Sequence, residues 1–310
     1  MTPSRSGSRL LLVCFGLVYL IWGSAFVASK VVVTDLPPLL AGAIRFIIAG
    51  LGLGVFATVR GATIPREPIE WRHFAVMAFL LVVTSSGVNA LAIRFVASNE
   101  SALLNVSSAL FIPLLGTLGA RGHALSARTA LGLLLGFLGV AFLMWPKAGF
   151  SLANLGWQAA ILGACFAWAL GTLYYRRIHS TTAPLMFTAL EMLIGGLMLG
   201  VISLSRGDPA HWHPTPASLT GLVFLTVFSS GIAYTAFGYL MRHTTPARLG
   251  TYAYVNPVVA ACVAWAVLGE SFSRMQLAGS AIILTGVVLV SLSDDRGRRG
   301  AQAAPAEATP

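Results

Sequence analysis

Ten apolar runs succeed one another between residues 10 and 292, parted only by short charged or proline-rich breaks. A hydrocarbon core about 30 Å thick takes about 20 residues of helix. Within it every backbone N–H and C=O needs a partner inside the protein, which leaves helices or closed barrels. The runs fall near residues 10–33, 38–59, 73–95, 101–119, 127–145, 156–175, 184–204, 217–240, 247–268 and 275–292. They are continuous rather than alternating, so the sequence predicts an all-α integral membrane protein of ten transmembrane helices. The charged fraction, 10% of 310 residues, is well below the roughly 25% of a soluble domain.

The first run follows Arg5 and Arg9, as a signal peptide would. It extends from Leu10 to about Val33, far past the roughly 7–15 apolar residues of a signal sequence, and lacks a small-x-small cleavage site, so it reads as a retained first span. Breaks such as Thr34-Asp35-Leu36-Pro37 are so short that neighbouring spans form antiparallel hairpins. Pro37, Pro38, Pro184 and Pro246 sit where spans begin, in the first helical turn where a missing N–H costs little.

The net charge of +10 does not point to nucleic acid, because the basic residues come in ones, twos and threes beside apolar runs. With an even number of crossings both termini share a side. Placing the N-terminus in the cytoplasm puts fourteen Lys and Arg on that face and four, Lys147, Arg206, Arg274 and the helix-end Arg94, on the other. The positive-inside rule therefore predicts cytoplasmic termini. The segment 293–310 is charged, then Ala/Pro-rich, and is expected to be a disordered cytoplasmic tail.

The chain also repeats itself. A shift of 146 lays Trp168 on Trp22, Pro184 on Pro38, Gly196 on Gly50 and Glu191 on Arg45. A shift of 144 matches Ser85-Ser86-Gly87 with Ser229-Ser230-Gly231 and Pro113 with Pro257, and one of 147 matches Gly132 with Gly279 and Gly139 with Gly286. The units run over 10–145 and 156–292. Each holds five spans, an odd number, so the second must enter the membrane from the opposite face. Two inverted five-helix repeats are the usual construction of secondary transporters, whose halves exchange shapes around a central site.

Certain residues carry a resemblance as well. Tyr19-Leu20-Ile21-Trp22-Gly23-Ser24-Ala25-Phe26, Asp35-Leu36-Pro37-Pro38 and Arg45-Phe46 resemble the first repeat of the EamA type of the drug/metabolite transporter superfamily. Ala253-Tyr254-Val255-Asn256-Pro257, Leu268-Gly269-Glu270, Gly279 and Thr285-Gly286-Val287 are similar to the end of its second repeat. The likeness covers nearly all of residues 10–292. It implies a multi-pass carrier of a bacterial inner membrane, often an exporter of amino acids or other small metabolites, with four helices of each half around a central cavity and the fifth peripheral. Where that family closes the fourth helix with Gly-Glu, the first half here has Gly122-His123.

Ionisable groups at membrane depth cost at least about 2.5–3.5 kcal/mol and mark function by default. Arg45 and Glu191 are such residues, positioned to neutralise each other or to bind opposite ends of a zwitterion; Lys30, near a span end, snorkels. Trp22, Ser24, Asn89, Asn105, Trp168, Tyr234, Tyr252, Tyr254 and Asn256 form the remaining candidate substrate-binding set, the amides because lipid offers them no partner. Pro113 and Pro257, inside the fourth and ninth spans, free the carbonyls of Ala109 and Ala253 and are candidate kinks or gating hinges. The spacings Gly50/Gly54, Gly132/Gly136 and Gly196/Gly200 allow tight packing, within the chain or as a homodimer face.

Rival readings as an intramembrane enzyme, channel or sensor find less support. There is no H-E-x-x-H, no G-x-S-G, no phosphate loop and no carboxylate pair within a span. The six histidines fall at span ends or in loops; Cys14, Cys165 and Cys262 lie in apolar runs without C-x-x-C spacing, as packing residues. No cofactor and no metal is expected. A small-molecule substrate and the bilayer are the expected partners.

Overall fold

The computed structural model describes residues 5–95, 104–117, 125–143, 155–268 and 274–303. Within them the chain forms ten helices: α1 (Arg5–Asp35), α2 (Pro38–Val59), α3 (Pro68–Ala92), α4 (Ser107–Gly116), α5 (Ala127–Leu143), α6 (Leu155–Arg177), α7 (Pro184–Ser205), α8 (Pro216–His243), α9 (Pro246–Leu268) and α10 (Arg274–Ala303). A 3₁₀ turn, Asp208–His211, joins α7 to α8, and no strand occurs among the described residues. Helices α1, α2, α3, α6, α7 and α8 are each long and apolar enough to cross a bilayer; α4, α5 and α10 carry shorter apolar stretches. Large apolar side chains such as Leu12, Val55, Val59, Val201 and Val223 stand exposed on the outside, where a soluble protein would meet water and this one meets lipid.

The breaks follow local rules. Proline opens α2, α3, α7 and α8 within the first turn, after an extended residue. At Pro68 and Pro216 the rule extends a span beyond its apolar run, so α3 begins five residues before the run at 73 and takes Glu70 and His73 into the bundle. Helices α2 and α7 end on Arg60-Gly61 and Arg206-Gly207, residues related by the 146 shift. Both glycines adopt the left-handed region, φ 86° and 74°, which stops a helix at little cost. At the other end of the chain the backbone of α10 stays helical to Ala303, past the Ser293 at which the sequence reading starts its tail; no proline interrupts before Pro305.

Glycine sets how the repeats meet. Gly50 lies against Ala189 and Leu193 and Gly196 against Ala43 and Ile47, so the equivalent helices α2 and α7 cross antiparallel at backbone contact. Gly132 lies against Gly286 and Val290, and Gly139 against Gly279 and Ile283, which crosses α5 and α10 the same way. The G-x-x-x-G spacings thus pack within the chain. Other contacts fix the remaining directions: α1 runs parallel to α9 (Tyr19 on Thr251, Gly23 on Asn256 and Val259) and antiparallel to α8 (Gly221 on Ala28 and Val32). Helix α3 runs parallel to α7 (Phe74 on Phe187, Gly87 on Leu199) and antiparallel to α6 (His73 on Tyr174, Gly171 on Leu81). The repeats are inverted. Helices α5 and α10 pack on each other and on α4 and α9, apart from the remaining six.

One departure from α geometry recurs. Helix α3 is π-helical over Ala78–Gly87 and α8 over Leu225–Ala233, and each π segment includes its copy of Ser-Ser-Gly. The residues Gly122-His123 and Gly269-Glu270, together with Lys147 and Arg121, lie outside the described residues.

The glycine crossing is testable. A Cβ on Gly50 would meet the Ala189 carbonyl oxygen and the Leu193 amide nitrogen, both at 2.9 Å, whereas one on Gly52 would meet nothing within 4 Å. Gly50→Ala is expected to lower stability by about 1–3 kcal/mol, the cost of overpacking. Gly52→Ala is expected to be neutral or stabilising by up to about 1 kcal/mol through helix propensity. Thermal unfolding of the detergent-purified variants checks both.

Candidate functional site

A cavity of about 240 Å³ lies between the repeats. Its wall comes from α1 (Trp22, Ala25, Phe26, Ser29), α2 (Arg45, Phe46), α3 (Ser85, Asn89), α4 (Ser108) with Asn105 just before it, α6 (Cys165, Trp168), α7 (Leu199), α8 (Ser229, Tyr234) and α9 (Tyr252, Asn256, Pro257). Every helix except α5 and α10 contributes, as the resemblance implies. The lining is one-sided: it occupies the C-terminal parts of α1 and α3, the N-terminal parts of α2 and α4 and the N-terminal to middle part of α8, reaching Val33, Pro38 and Ile93. Given the helix directions, all these lie toward one end of the bundle.

At the opposite end the repeats are tied together. The Glu70 carboxylate of α3 accepts from the hydroxyls of Ser180 (2.6 Å), Thr181 (3.2 Å) and Thr182 (2.9 Å) and from the Thr181 amide (2.9 Å), all before α7. His73 Nδ1 shares a 2.6 Å hydrogen bond with the Tyr174 hydroxyl, and Tyr19 shares one of 2.7 Å with Thr251. Arg176 donates to the carbonyls of Met241 and Thr244, ending α8 against α6. The cavity end has its own cross-repeat bond, from the Thr215 hydroxyl to Asp35 Oδ2 at 2.5 Å.

The cavity floor is aromatic. Trp22 and Trp168, equivalent under the repeat, meet edge to face with centroids 5.6 Å apart, and Phe237 and Tyr252 lie 5.0 and 5.3 Å from Trp22. Such pairs add about 0.5–1.5 kcal/mol each beyond area burial. The Trp22 indole N–H donates to the Ser229 carbonyl at 3.2 Å. That carbonyl belongs to the π segment of α8 and also accepts the Tyr234 backbone N–H, so the indole takes its second lone pair.

Arg45 and Glu191, paired by the repeat, take separate partners. Arg45 Nε donates to Ser230 Oγ at 2.6 Å and Nη2 to Ser229 Oγ at 3.2 Å, with the guanidinium 4.8 Å from the Phe46 ring centre. Glu191, buried in α7, accepts from the Tyr234 hydroxyl at 2.5 Å and does not line the cavity. No Arg45–Glu191 ion pair forms. Tyr234 instead stands between the acid and the cavity, which its own side chain lines.

Of the other residues singled out by sequence, Trp22, Asn89, Asn105, Trp168, Tyr252 and Asn256 line the cavity. Asn105 Nδ2 donates to Asn89 Oδ1 at 2.8 Å, and Asn89 Nδ2 to the Ser85 carbonyl at 3.0 Å, so two of the amides bond protein. Asn256 is buried with Oδ1 unpartnered. Ser24 is half-buried, donates to the Leu20 carbonyl of its own helix, and is not on the cavity wall. Tyr254 points the other way, its hydroxyl donating to the Leu133 carbonyl of α5. Pro257 lines the cavity beside Ala253, whose carbonyl it cannot serve as donor; Pro113 is buried off the wall. Cys165 is a wall residue as well as a packing one.

Sequence reasoning missed Ser229, Ser230 and Glu70. The first two were visible as one copy of the repeated Ser-Ser-Gly, read as a marker of the repeat and not as the seat of Arg45. Glu70 fell before the apolar run assigned to its helix. Among the described residues no group of three or more His, Cys, Asp or Glu could hold a metal.

The comparisons with known proteins agree with this geometry. Residues 10–145 and 155–292 each match the EamA-like transporter family. The uncharacterized inner membrane transporter YedA of Escherichia coli K12 is 31% identical over 291 residues, 92% of each chain. A WAT1-related chloroplastic protein of Arabidopsis thaliana is 28% identical over 89% of this chain and 68% of its own, and the uncharacterized transporter YvbV of Bacillus subtilis 25% identical over 88% of each. A solved crystal structure superposes with a TM-score of 0.80 over 93% of this chain and 99% of that one at 20% identity, a likeness of fold alone. With one family unit matched to each half and both halves walling one cavity, the chain belongs to the EamA-like transporter family.

Proposed function

We propose that this protein is a secondary transporter of a bacterial inner membrane that exports a small metabolite by alternating access through the central cavity. The single observation behind this is the one-sided cavity between inverted repeats: open space toward one end, cross-repeat hydrogen bonds at the other. Two halves of like construction and opposite direction can exchange those roles with little change in either half. The Lys and Arg distribution orients the molecule with cytoplasmic termini, so the described state faces outward and the Glu70 cluster is the closed inner gate. Pro257, on the wall of α9, is the proposed hinge, since its helix lacks one hydrogen bond there. A carrier of this kind exchanges labelled against unlabelled substrate in proteoliposomes; net flux without such counterflow would make it a pore.

The same reading gives Glu70 a role. Replacing it by Ala removes four hydrogen bonds between the repeats, each worth about 1 kcal/mol, and shifts the population toward the inward-open state. With a single cysteine at Ala25, on the cavity wall, in a background lacking Cys14, Cys165 and Cys262, Glu70→Ala is expected to raise labelling by an impermeant maleimide in inside-out vesicles several-fold. Unchanged labelling would remove Glu70 from the gate.

We further propose that transport is coupled to protons through Glu191. It is buried in a span, has no cation within ion-pair distance among the described residues, and connects to the cavity by the Tyr234 hydroxyl, a short path for a proton. Glu191→Gln keeps the shape and removes the titratable group, so transport in proteoliposomes is expected to lose its pH dependence. A pH profile identical to that of the unaltered protein would exclude Glu191 as the proton site.

A further inference from the structure

We propose that the cavity binds a small organic anion, a carboxylate on a compact apolar body, with Arg45 as its counter-charge. This rests on the carrier reading and narrows its substrate class.

Among the described residues, Arg45 is the one charged side chain on the cavity wall. No carboxylate there lies within ion-pair distance of it, and the acid at the equivalent repeat position, Glu191, is held by Tyr234 behind the wall. A guanidinium is effectively always protonated, and a cation away from water is costly unless an opposite charge meets it. The cavity therefore carries a positive charge whose complement the protein does not supply. An organic cation would add to the imbalance. A zwitterion would satisfy Arg45 but bring an ammonium for which the described wall offers no opposite charge.

Arg45 is also held in a posture that suits an oxyanion. Ser229 and Ser230 take Nη2 and Nε, which fixes the plane of the guanidinium and leaves Nη1 without a partner among the described residues. One more polar atom on a wall residue lacks a partner, Asn256 Oδ1. The Asn256 amide is neutral, so it can take a hydroxyl or amide substituent but cannot balance an ammonium. The rest of the wall, with Trp22, Phe26 and Tyr252, is apolar or aromatic and matches a hydrocarbon body.

The test is thermal unfolding of the detergent-purified full chain with matched ligands: 3-phenylpropionate, 3-phenylpropan-1-amine and phenylalanine, and butyrate, butylamine and 2-aminobutyrate. The carboxylates are expected to raise the unfolding temperature, as a ligand bound only to the folded state does, and the amines and amino acids are not. Arg45→Gln is expected to weaken carboxylate binding by about tenfold or more, the scale of a lost charged hydrogen bond. Should that variant fail to fold, Asn256→Asp keeps Arg45 and adds the missing negative charge; it is expected to suppress the carboxylate response and admit the amino acid. Stabilisation by the amine or amino acid equal to that by its carboxylate, no response to either carboxylate, or a carboxylate response that survives in Arg45→Gln or Asn256→Asp overturns the proposal. Counterflow of the responding ligand separates the two readings. An Arg45-dependent carboxylate that is bound but not exchanged leaves the anion site and removes the carrier. Exchange of the amine or amino acid leaves the carrier and removes the anion class.

Discussion

Hydrocarbon offers no hydrogen-bond partner, and most polar groups in the described spans find one inside the chain. Regular helix settles the backbone. Hydroxyls within the spans fold back onto the preceding turn, Ser24 onto Leu20, Thr226 onto Leu222, Thr235 onto Gly231 and Thr285 onto Ala281. Where the backbone departs from α geometry, in the π segments of α3 and α8, nearby side chains add a second bond to carbonyls that also accept a backbone N–H: Asn89 bonds the Ser85 carbonyl and Trp22 the Ser229 carbonyl. Irregular backbone at membrane depth thus occurs beside the cavity, where there are groups to meet it.

Symmetry of construction and asymmetry of chemistry coexist in the bundle. Glycine crossings join α2 to its copy α7 and α5 to its copy α10, the Ser-Ser-Gly segments are both π-helical, and Trp22 meets Trp168. The charged pair breaks the pattern. Arg45 reaches across to the serines of the other repeat, while Glu191 turns to a tyrosine behind the cavity wall. A backbone scaffold shared by two copies leaves each side chain free to change by itself, and it is in side chains that substrate chemistry resides.

Much of the architecture was legible because its signals are local. Ten runs of apolar residues, prolines at first turns and a recurrent spacing of glycines each act over a few turns of helix. The reading erred where two local signals disagreed, as at Pro68, where a proline start outreached the apolar run and carried Glu70 into the bundle. Trp22, Arg45, Asn256 and the other wall residues were chosen because lipid penalises them, and most do line the cavity. Ser24 and Tyr254 met the same criterion and found partners elsewhere, and Pro113, chosen as a candidate hinge, is buried off the wall.

The sequence by itself determined the ten-helix class, the twofold repeat and the small set of polar residues at membrane depth, since hydrophobic length and burial cost depend on each segment alone. Only the tertiary structure decided which partner each polar residue takes. The separation of Arg45 from Glu191, the seating of Arg45 on Ser229 and Ser230, and the cluster of hydroxyls around Glu70 all join residues more than forty positions apart. Helix periodicity fixes the face a side chain occupies, but the rotation and crossing of neighbouring helices, set here by backbone contact at glycine, decide what that face meets.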